Sequence, residues 1–202
     1  MSLKSDYIIV IDMEATCWRS NRRPPDQVSE IIEIGVCVLD LDTLEPDRKM
    51  SILVKPTLST VSEFCTRLTS LTQAQVDKGV TFEKAAEILQ RHYDTHNHVW
   101  TSWGDYDRRM MQWESSEFKV AHPFGGDAHY FDLKQLYADV RNKGKRRGLV
   151  NALKDEKITL EGRHHRGDSD AWNTSRILAK MLHEDGMGIL APFMGEKEPE
   201  NE

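Results

Sequence analysis

The sequence predicts an α/β fold in which helices pack on a mixed β-sheet. Three observations predict this class. Three apolar, β-branched segments come first in the chain, with modest connections between them. Segments with apolar residues at helical spacing follow, and one further apolar strand lies between two of them. The resulting order, βββ-α-β-α-(β)-α, is typical of a mixed sheet that is covered by helices.

The first three strands are predicted at residues 7–11, 31–39 and 50–54, because these segments are rich in isoleucine and valine. Consecutive strands with modest connections favour an antiparallel meander. A fourth strand is predicted at residues 98–102, where apolar and β-branched residues recur after a polar turn.

The helices are predicted from side chains that recur every three or four residues. Thr81 is the expected N-cap of the first helix, since a threonine hydroxyl can accept from a backbone N–H of the first turn. The last helix is predicted from about residue 170 to residue 184, with Gly186 as its end. The repeating positions are Phe82, Ala85, Ala86, Leu89 and Tyr93; Met110, Met111 and Trp113; Leu133, Leu136, Tyr137 and Val140; and Ala171, Ser175, Leu178 and Leu182.

The chain has 202 residues, which is enough for one domain with a full core, and we place this domain at residues 1–190. Residues 191–202 end in a polar, acidic segment and are predicted to form a disordered tail. No apolar run reaches the roughly 18 residues that a membrane span needs, so we expect no membrane partner. The net charge of −6 argues against a protein that coats nucleic acid through a broadly basic surface.

The cysteines and the N-terminus predict a cytoplasmic location. Residues 1–6 contain no apolar signal-peptide core. Cys17, Cys37 and Cys65 are odd in number and widely spaced, which indicates reduced thiols and neither a disulfide framework nor a zinc site.

Asp12 and Glu14 close the first apolar strand. Side chains two residues apart lie on the same face of a strand, so both carboxylates point the same way. Such a pair repels itself unless a positive charge lies between the groups, and oxygen ligands of this kind suit Mg²⁺ or Mn²⁺. The alternative is a strand end that turns polar as it leaves the core, and the pair alone does not decide between the two.

Further acids lie at the boundaries of other predicted elements. Asp105 and Asp107 follow the fourth strand, and His165, Asp168 and Asp170 open the last helix. The alternative is that each acid caps a helix or is solvated, and that the histidine is an ordinary surface or half-buried residue. Together with the strand-end pair, the set could hold two cations and supply one base.

These motifs, in this order and at this spacing, resemble the DEDDh 3′→5′ exonucleases of the ribonuclease H-like superfamily. The resemblance covers residues 6–186 and narrows to the branch that trims 3′ ends of histone mRNA and small RNAs, which includes the bacterial KapD-like proteins. It implies a ribonuclease H-like, mixed five-stranded sheet flanked by helices. The segments that carry it are DMEATCW at 12–18, EIIEIG at 30–35, FCTRLT at 64–69, LTQAQVD at 71–77, GRHH at 162–165 and HRGDSD at 165–170.

The resemblance implies two divalent cations, Mg²⁺ or Mn²⁺, held by four carboxylates. Asp12 would bridge both ions, Glu14 and Asp170 would complete the first site, and Asp107 would support the second. His165 would be the general base that takes a proton from the attacking water.

The second motif leaves a choice between Asp105 and Asp107 as the ligand. Family members place an aromatic residue just before the ligand and apolar residues three to four positions after it. Asp107 follows Tyr106 and precedes Met110 and Met111, so we prefer it and expect Asp105 to cap the helix.

Substrate contacts are implied by the same resemblance. The terminal base would lie between side chains near the first motif and near the Leu-Thr segment, which are here Met13, Ala15, Thr16, Leu68 and Thr69. A plain core position is the alternative for Leu68.

Two other groups of residues leave alternatives open. The densest basic run either attracts phosphates or is a solvated loop. The tryptophans either stack on bases or belong to the core. The residues are Arg141, Lys143, Lys145, Arg146 and Arg147 in the run, and Trp18, Trp103, Trp113 and Trp172 among the tryptophans.

From these observations and the resemblance we expect a metal-dependent 3′→5′ exonuclease that hydrolyses single-stranded RNA 3′ ends to nucleoside 5′-monophosphates. One alternative is a DNA-directed exonuclease of the proofreading or repair kind. Another is a catalytically idle regulator on the same fold that binds nucleic acid or a protein partner.

Overall fold

The computed structural model describes residues 4–19, 22–141 and 144–194. Its strands are β1 (Lys4–Ala15), β2 (Ile31–Asp40), β3 (Pro46–Leu53), β4 (His98–Ser102) and β5 (Tyr130–Asp132). Its helices are α1 (Glu63–Thr69), α2 (Gln73–Val76), α3 (Phe82–Tyr93), α4 (Tyr106–Glu117), α5 (Leu133–Arg141), α6 (Leu149–Asp155) and α7 (Gly167–Asp185), followed by a 3₁₀-helix at Met187–Leu190. Every helix within these ranges is too short or too polar to cross a membrane.

The strands form one five-stranded sheet in the order β3-β2-β1-β4-β5. β2 pairs antiparallel with β1 and with β3, whereas β1 pairs parallel with β4, and β4 with β5. The predicted mixed five-stranded sheet and its antiparallel N-terminal meander are therefore confirmed. The carboxyl ends of β1 and β4 meet at one edge of the sheet, which is where open α/β sheets place their sites.

The alternate side chains of β1 enter two different cores, one on each face of the sheet. Ile8 and Val10 pack in the core formed with α5, α6 and α7. Ile9 packs in the core formed with α3 and α4. Asp12 and Glu14 continue the series of Ile8 and Val10, so the strand directs both carboxylates to the face that α7 covers.

Most predicted elements are present, although some of their boundaries differ. α3 begins as predicted, and the Thr81 hydroxyl accepts from the backbone N–H of Lys84 at 3.2 Å. α7 starts at Gly167, three residues before the predicted position, and it ends before Gly186 as expected. The sequence did not predict α1, α2 or α6, because helices of 7, 4 and 7 residues are too short to show a repeating apolar stripe.

The chain just after residue 190 packs on the domain. The Phe193 ring stacks on Phe131, with 4.7 Å between the ring centroids. The remainder of the predicted tail, residues 195–202, lies outside the described residues. The division into a domain at 1–190 and a tail stays a prediction.

Two glycines allow α7 to approach the sheet at the edge where the acids lie. A Cβ atom on Gly35 in β2 would lie 1.7 Å from the carbonyl carbon of Gly167, and one on Gly167 would lie 2.9 Å from the carbonyl oxygen of Asp12. Both distances are shorter than real Cβ atoms tolerate. Because Gly35 and Gly167 have no side chains, the first turn of α7 packs directly against β1 and β2.

We expect Gly35→Ala to destabilise the protein by about 3 kcal/mol, because the added methyl overlaps backbone atoms that a packed core holds in place. Urea unfolding followed by circular dichroism measures this change. The matched control is Gly188→Ala, whose added Cβ meets nothing within 4 Å. Equal stabilities for the two variants would show that α7 does not need this close approach.

Candidate active site

Three carboxylates converge at the end of β1. Asp12 and Glu14 come from the strand, and Asp170 comes from the first turn of α7. One oxygen atom from each lies within 4.8 Å of the others. Glu14 and Asp170 are buried and Asp12 is partly exposed. Buried oxygen ligands of like charge at this spacing fit a hard divalent cation such as Mg²⁺ or Mn²⁺.

Asp107 lies in the same cleft, in the first turn of α4, and it is 5% exposed. The backbone N–H of Met13 donates to its Oδ1 at 2.8 Å, which ties the carboxylate to β1 between the two strand-end acids. Asp107 is not part of the three-carboxylate cluster. Asp107 therefore shares the cleft with the three-carboxylate cluster without belonging to it.

Asp105 does not line this cleft. Its carboxylate binds Arg108 at 2.6 Å and Arg109 at 3.2 Å. Asp105 occupies the N-cap position of α4, but its side chain makes no capping hydrogen bond. The expectation that this side chain caps the helix is therefore wrong, because the two arginines occupy its oxygens.

The electrostatics of the cluster favour bound cations. Burial, followed by the charges of Asp107 and Asp170, raises the pKa of Asp12 well above its ordinary value. Burial and then the charge of Asp170 raise the pKa of Glu14 to about 8. Burial also raises the pKa of Asp107 to about 7, although the N–H of Met13 opposes this change. A cation would relieve the repulsion and allow all of these groups to ionise near neutral pH.

His165 stands at the mouth of the cluster. Its Nδ1 lies 4.0 Å from Glu14 Oε1, and its side chain is 40% exposed. Its backbone has a φ of 64°, which a non-glycine residue rarely adopts, and its backbone N–H donates to Asp170 Oδ2 at 2.8 Å. Burial, followed by the neighbouring His164, lowers the pKa of His165 below its ordinary value. The ring is therefore held at the cleft with a tendency to be neutral, as a general base requires.

His164 is a site residue to which sequence reasoning assigned no role. Its Nδ1 lies 2.9 Å from Asp170 Oδ2, and its ring stacks on that of His165 with 3.9 Å between centroids. The adjacent pair of histidines in GRHH was the available signal. His164 holds both the proposed base and a proposed ligand in position.

A buried ion pair anchors the segment that carries the two histidines. Glu33 in β2 is fully buried and accepts from Arg166 at 2.7 Å and 3.0 Å, and from the backbone N–H of Gly167 at 2.9 Å. The hydroxyl of Ser51 donates to the same carboxylate at 2.6 Å. Sequence reasoning assigned Glu33 no role, although a carboxylate within an apolar strand was a signal for a buried partner.

The cleft around these groups has a volume of about 400 Å³. Of the predicted substrate contacts, Met13, Ala15 and Leu68 line it. Thr16 and Thr69 do not line it, and both are fully buried. The remaining lining residues include Cys17, Trp103, Tyr106, Gly148 and Leu149.

Thr16 and Thr69 already have internal hydrogen-bond partners. The hydroxyl of Thr16 contacts that of Ser59 at 2.8 Å. The hydroxyl of Thr69 donates to Cys65 O at 3.0 Å and accepts from the N–H of Leu71 at 3.0 Å. Both hydroxyls are therefore engaged inside the protein, and the structure does not place the predicted contacts Thr16 and Thr69 at the cleft.

The basic run at 141–147 is largely neutralised by acids. Arg141 binds Glu184 and Asp185, each at 2.7 Å. Two further arginines also pair with acids, Arg146 with Asp132 and Arg147 with Asp155, and Lys143 lies outside the described residues. This arrangement favours a structural role for the run.

The tryptophans divide between the cleft and other positions. Trp103 lines the cleft, and its Nε1 donates to Arg147 O at 3.0 Å. Trp172 lies in α7 and packs against the core on that side of the sheet, and the Nζ atom of Lys49 lies 5.7 Å from the centre of its ring. Trp113 and Trp18 are half-buried and do not line the cleft. Only Trp103 is therefore placed to meet a ligand in the cleft.

Comparison with known proteins places this arrangement in a family. Residues 9–178 match the RNase_T family model, described as exonuclease. Human 3′-5′ exoribonuclease 1 is 31% identical over 196 residues, which cover 89% of this chain and 53% of that protein. Human ERI1 exoribonuclease 2 is 28% identical over 202 residues, which cover 89% of this chain and 29% of that protein. The chain thus spans about half of the first relative and less than a third of the second.

Solved structures of similar proteins support the same family assignment. The nuclease domain of 3′hExo, a DEDDh family member bound to rAMP, superposes with a TM-score of 0.77 at 27% identity, covering 91% of this chain and 95% of that one. A 3′-exonuclease that recognises the 3′ end of a histone mRNA stem-loop superposes with a TM-score of 0.73, also at 27% identity, covering 89% of this chain and 82% of that one. The resemblance to DEDDh exonucleases is confirmed.

Proposed function

Because this chain belongs to the exonuclease family, we propose that it is a metal-dependent 3′→5′ exonuclease of single-stranded RNA. The observation that carries the proposal is the convergence of three carboxylates and His165 in one cleft, with oxygen atoms of Asp12, Glu14 and Asp170 within 4.8 Å of one another. The products would be nucleoside 5′-monophosphates. The preference for RNA is supported by the relatives, which include two human exoribonucleases.

The carboxylates fit two divalent cations, for which we propose Mg²⁺ or Mn²⁺. Asp12 would be shared between them, Glu14 and Asp170 would complete one site, and Asp107 would support the other. Bound cations supply stabilisation for the negative charge that develops on the attacking and leaving oxygens of the phosphodiester. Burial, followed by repulsion from Asp107 and Asp170, raises the pKa of Asp12, and such cations would cancel the repulsion.

The side chains around the carboxylates would handle the proton and the nucleotide. His165 takes a proton from the water molecule that attacks phosphorus, and its strained backbone and the Asp170 contact fix the direction of its ring. Met13, Ala15 and Leu68 form an apolar wall for the terminal base.

We expect stepwise shortening of a 5′-labelled single-stranded RNA and slower shortening of DNA of matching sequence, since a 2′-hydroxyl distinguishes RNA where a protein contacts it. A covalently closed circle of the same RNA should survive, because the proposed reaction begins at a free 3′ end. Denaturing gels of timed digests, with and without EDTA, measure these rates.

Each outcome of the digestion has a separate meaning. Cleavage of the circle would show an endonuclease and contradict the proposal. Faster digestion of DNA than of RNA would retain the exonuclease and overturn the RNA preference.

We expect saturating Mn²⁺ to raise the thermal unfolding midpoint, because a ligand at 100 times its dissociation constant adds about 2.7 kcal/mol to stability. For a domain of this size the shift is about 5–10 °C. Differential scanning calorimetry in EDTA and in Mn²⁺ measures it. Asp12→Asn should lose most of the shift, and an unchanged wild-type midpoint at saturating metal would contradict the cation site.

A further inference from the structure

A second pocket, of about 190 Å³, adjoins the cleft. Arg19, Arg22 and Arg67 contribute to its walls, and so do the rings of Trp18 and Phe64. We call it the arginine pocket. Its three guanidinium groups are exposed and its two aromatic side chains are half-buried.

The arginine pocket adjoins the proposed active site. Cys17 lines the cleft and Trp18 lines the arginine pocket, and the same relation holds for Leu68 and Arg67. Consecutive Cα atoms are about 3.8 Å apart, so the two pockets share two walls. A strand whose last nucleotide occupies the cleft can therefore continue into the arginine pocket.

Hydrogen bonds fix these two walls to each other. The hydroxyl of Ser62 donates to Cys17 O at 2.6 Å and accepts from the backbone N–H of Cys65 at 3.0 Å. The thiol of Cys65 donates to Ala15 O at 3.5 Å. α1 is thereby tied to the segment that follows the first motif, so the arginine pocket keeps its position relative to the cleft.

The charge in the arginine pocket is available to a ligand. Within residues 4–19, 22–141 and 144–194, no carboxylate lies within 4.0 Å of the guanidinium group of Arg19 or Arg22. Glu63 also lines the pocket and pairs with Arg67 at 3.3 Å, but these side chains are 92% and 65% exposed, and such a pair is weak. The arginines of the 141–147 run differ in this respect, because acids already pair with their guanidinium groups.

We infer that the arginine pocket binds the nucleotides that precede the 3′-terminal nucleotide of the substrate. Arg19, Arg22 and Arg67 contact phosphodiester groups, and the rings of Trp18 and Phe64 offer surfaces on which a base stacks. This inference rests on the proposed function, since it extends the path of the same strand.

The test compares two substrates that differ in upstream nucleotides. One is a single-stranded RNA octanucleotide, and the other is the 4-nitrophenyl ester of a nucleoside 5′-monophosphate, which has none. Arg19→Gln/Arg22→Gln should lower the ratio of kcat/KM for the octanucleotide to that for the ester by about tenfold. The salt dependence of log KM for the octanucleotide should also become shallower, by about 0.7 for each phosphate that the variant no longer neutralises. Arg67→Gln should change both quantities in the same direction.

The matched control is Arg91→Gln/Lys119→Gln, which removes the same charge from exposed residues of α3 and of the segment after α4. This control should keep the wild-type ratio and salt dependence. A wild-type ratio in Arg19→Gln/Arg22→Gln, with both substrates hydrolysed by the wild-type protein, would overturn this inference alone. A wild-type protein that hydrolysed neither substrate would overturn the proposed function as well.

Discussion

Asp12→Asn is expected to reduce RNA hydrolysis by about 10³-fold or more, because several kcal/mol of charge stabilisation depend on the cations that this carboxylate would share. The negative charges of Asp107, Asp170 and Glu14 all act on the Asp12 carboxylate. Single-turnover digestion of 5′-labelled RNA in Mg²⁺ measures the effect. Asp107→Asn should also be severe.

The same substitution should stabilise the protein in EDTA. The pKa of Asp12 is higher in the folded state than in the unfolded state. The wild-type protein therefore loses stability as the pH rises from the pKa of the unfolded state through the pKa of the folded state. The asparagine variant lacks this loss, so its advantage in unfolding midpoint should grow as pH rises above the ordinary pKa of an aspartate. A variant that is both inactive and less stable at pH 8 would point to misfolding.

Asp105→Asn is the matched control for these carboxylate substitutions. Asp105 lies in the same segment, is partly exposed and binds Arg108 and Arg109 outside the cleft. We expect it to keep the wild-type rate within a few-fold, since a partly exposed ion pair contributes little. If Asp105→Asn were as damaging as Asp107→Asn, our choice between the two would be wrong.

His165→Ala is expected to lower kcat by about 10²–10⁴-fold, the usual contribution of a general base. The ring lies 4.0 Å from Glu14 and the side chain is 40% exposed, so its removal should leave the core intact. Metal binding, measured by the Mn²⁺-induced shift in unfolding midpoint, should be largely retained. A reduced kcat together with a retained Mn²⁺-induced shift would indicate loss of the base and not loss of the metal site.

His183→Ala serves as the histidine control, because His183 is exposed in the last turn of α7. It should match the wild-type rate. Added imidazole should restore part of the activity of His165→Ala, since the vacated position is open to solvent. A wild-type rate in His165→Ala would assign the proton transfer to another group.

The sequence predicted the parts of the site that depend on local periodicity. Alternation along β1 placed Asp12 and Glu14 on one face, and the structure brings α7 to that face. The motif order then placed Asp170 and His165 at the start of α7. These placements succeed because strand alternation and the residues that open a helix are set by near neighbours, although α7 begins three residues earlier than predicted.

Contacts between distant segments were not predictable in the same way. The pairing of Glu33 with Arg166 joins residues 133 positions apart, and no local pattern reports it. Thr16 and Thr69 were predicted as substrate contacts, yet packing turns both hydroxyls inward and neither residue lines the cleft. The dense basic run at 141–147 was the charge cluster that the sequence emphasised. Arg19 and Arg22, which have no acid partner among the described residues, come from a separate loop beside the cleft.

The most direct test of the central claim is hydrolysis of single-stranded RNA in ¹⁸O-labelled water, with mass spectrometry of the products. We expect nucleoside 5′-monophosphates that appear in order from the 3′ end, each with one ¹⁸O atom in its phosphate. The same products should be absent with Asp12→Asn or EDTA. Internal fragments as first products, or ¹⁸O in a 3′-phosphate of the shortened chain, would contradict hydrolysis of the last phosphodiester by this cleft.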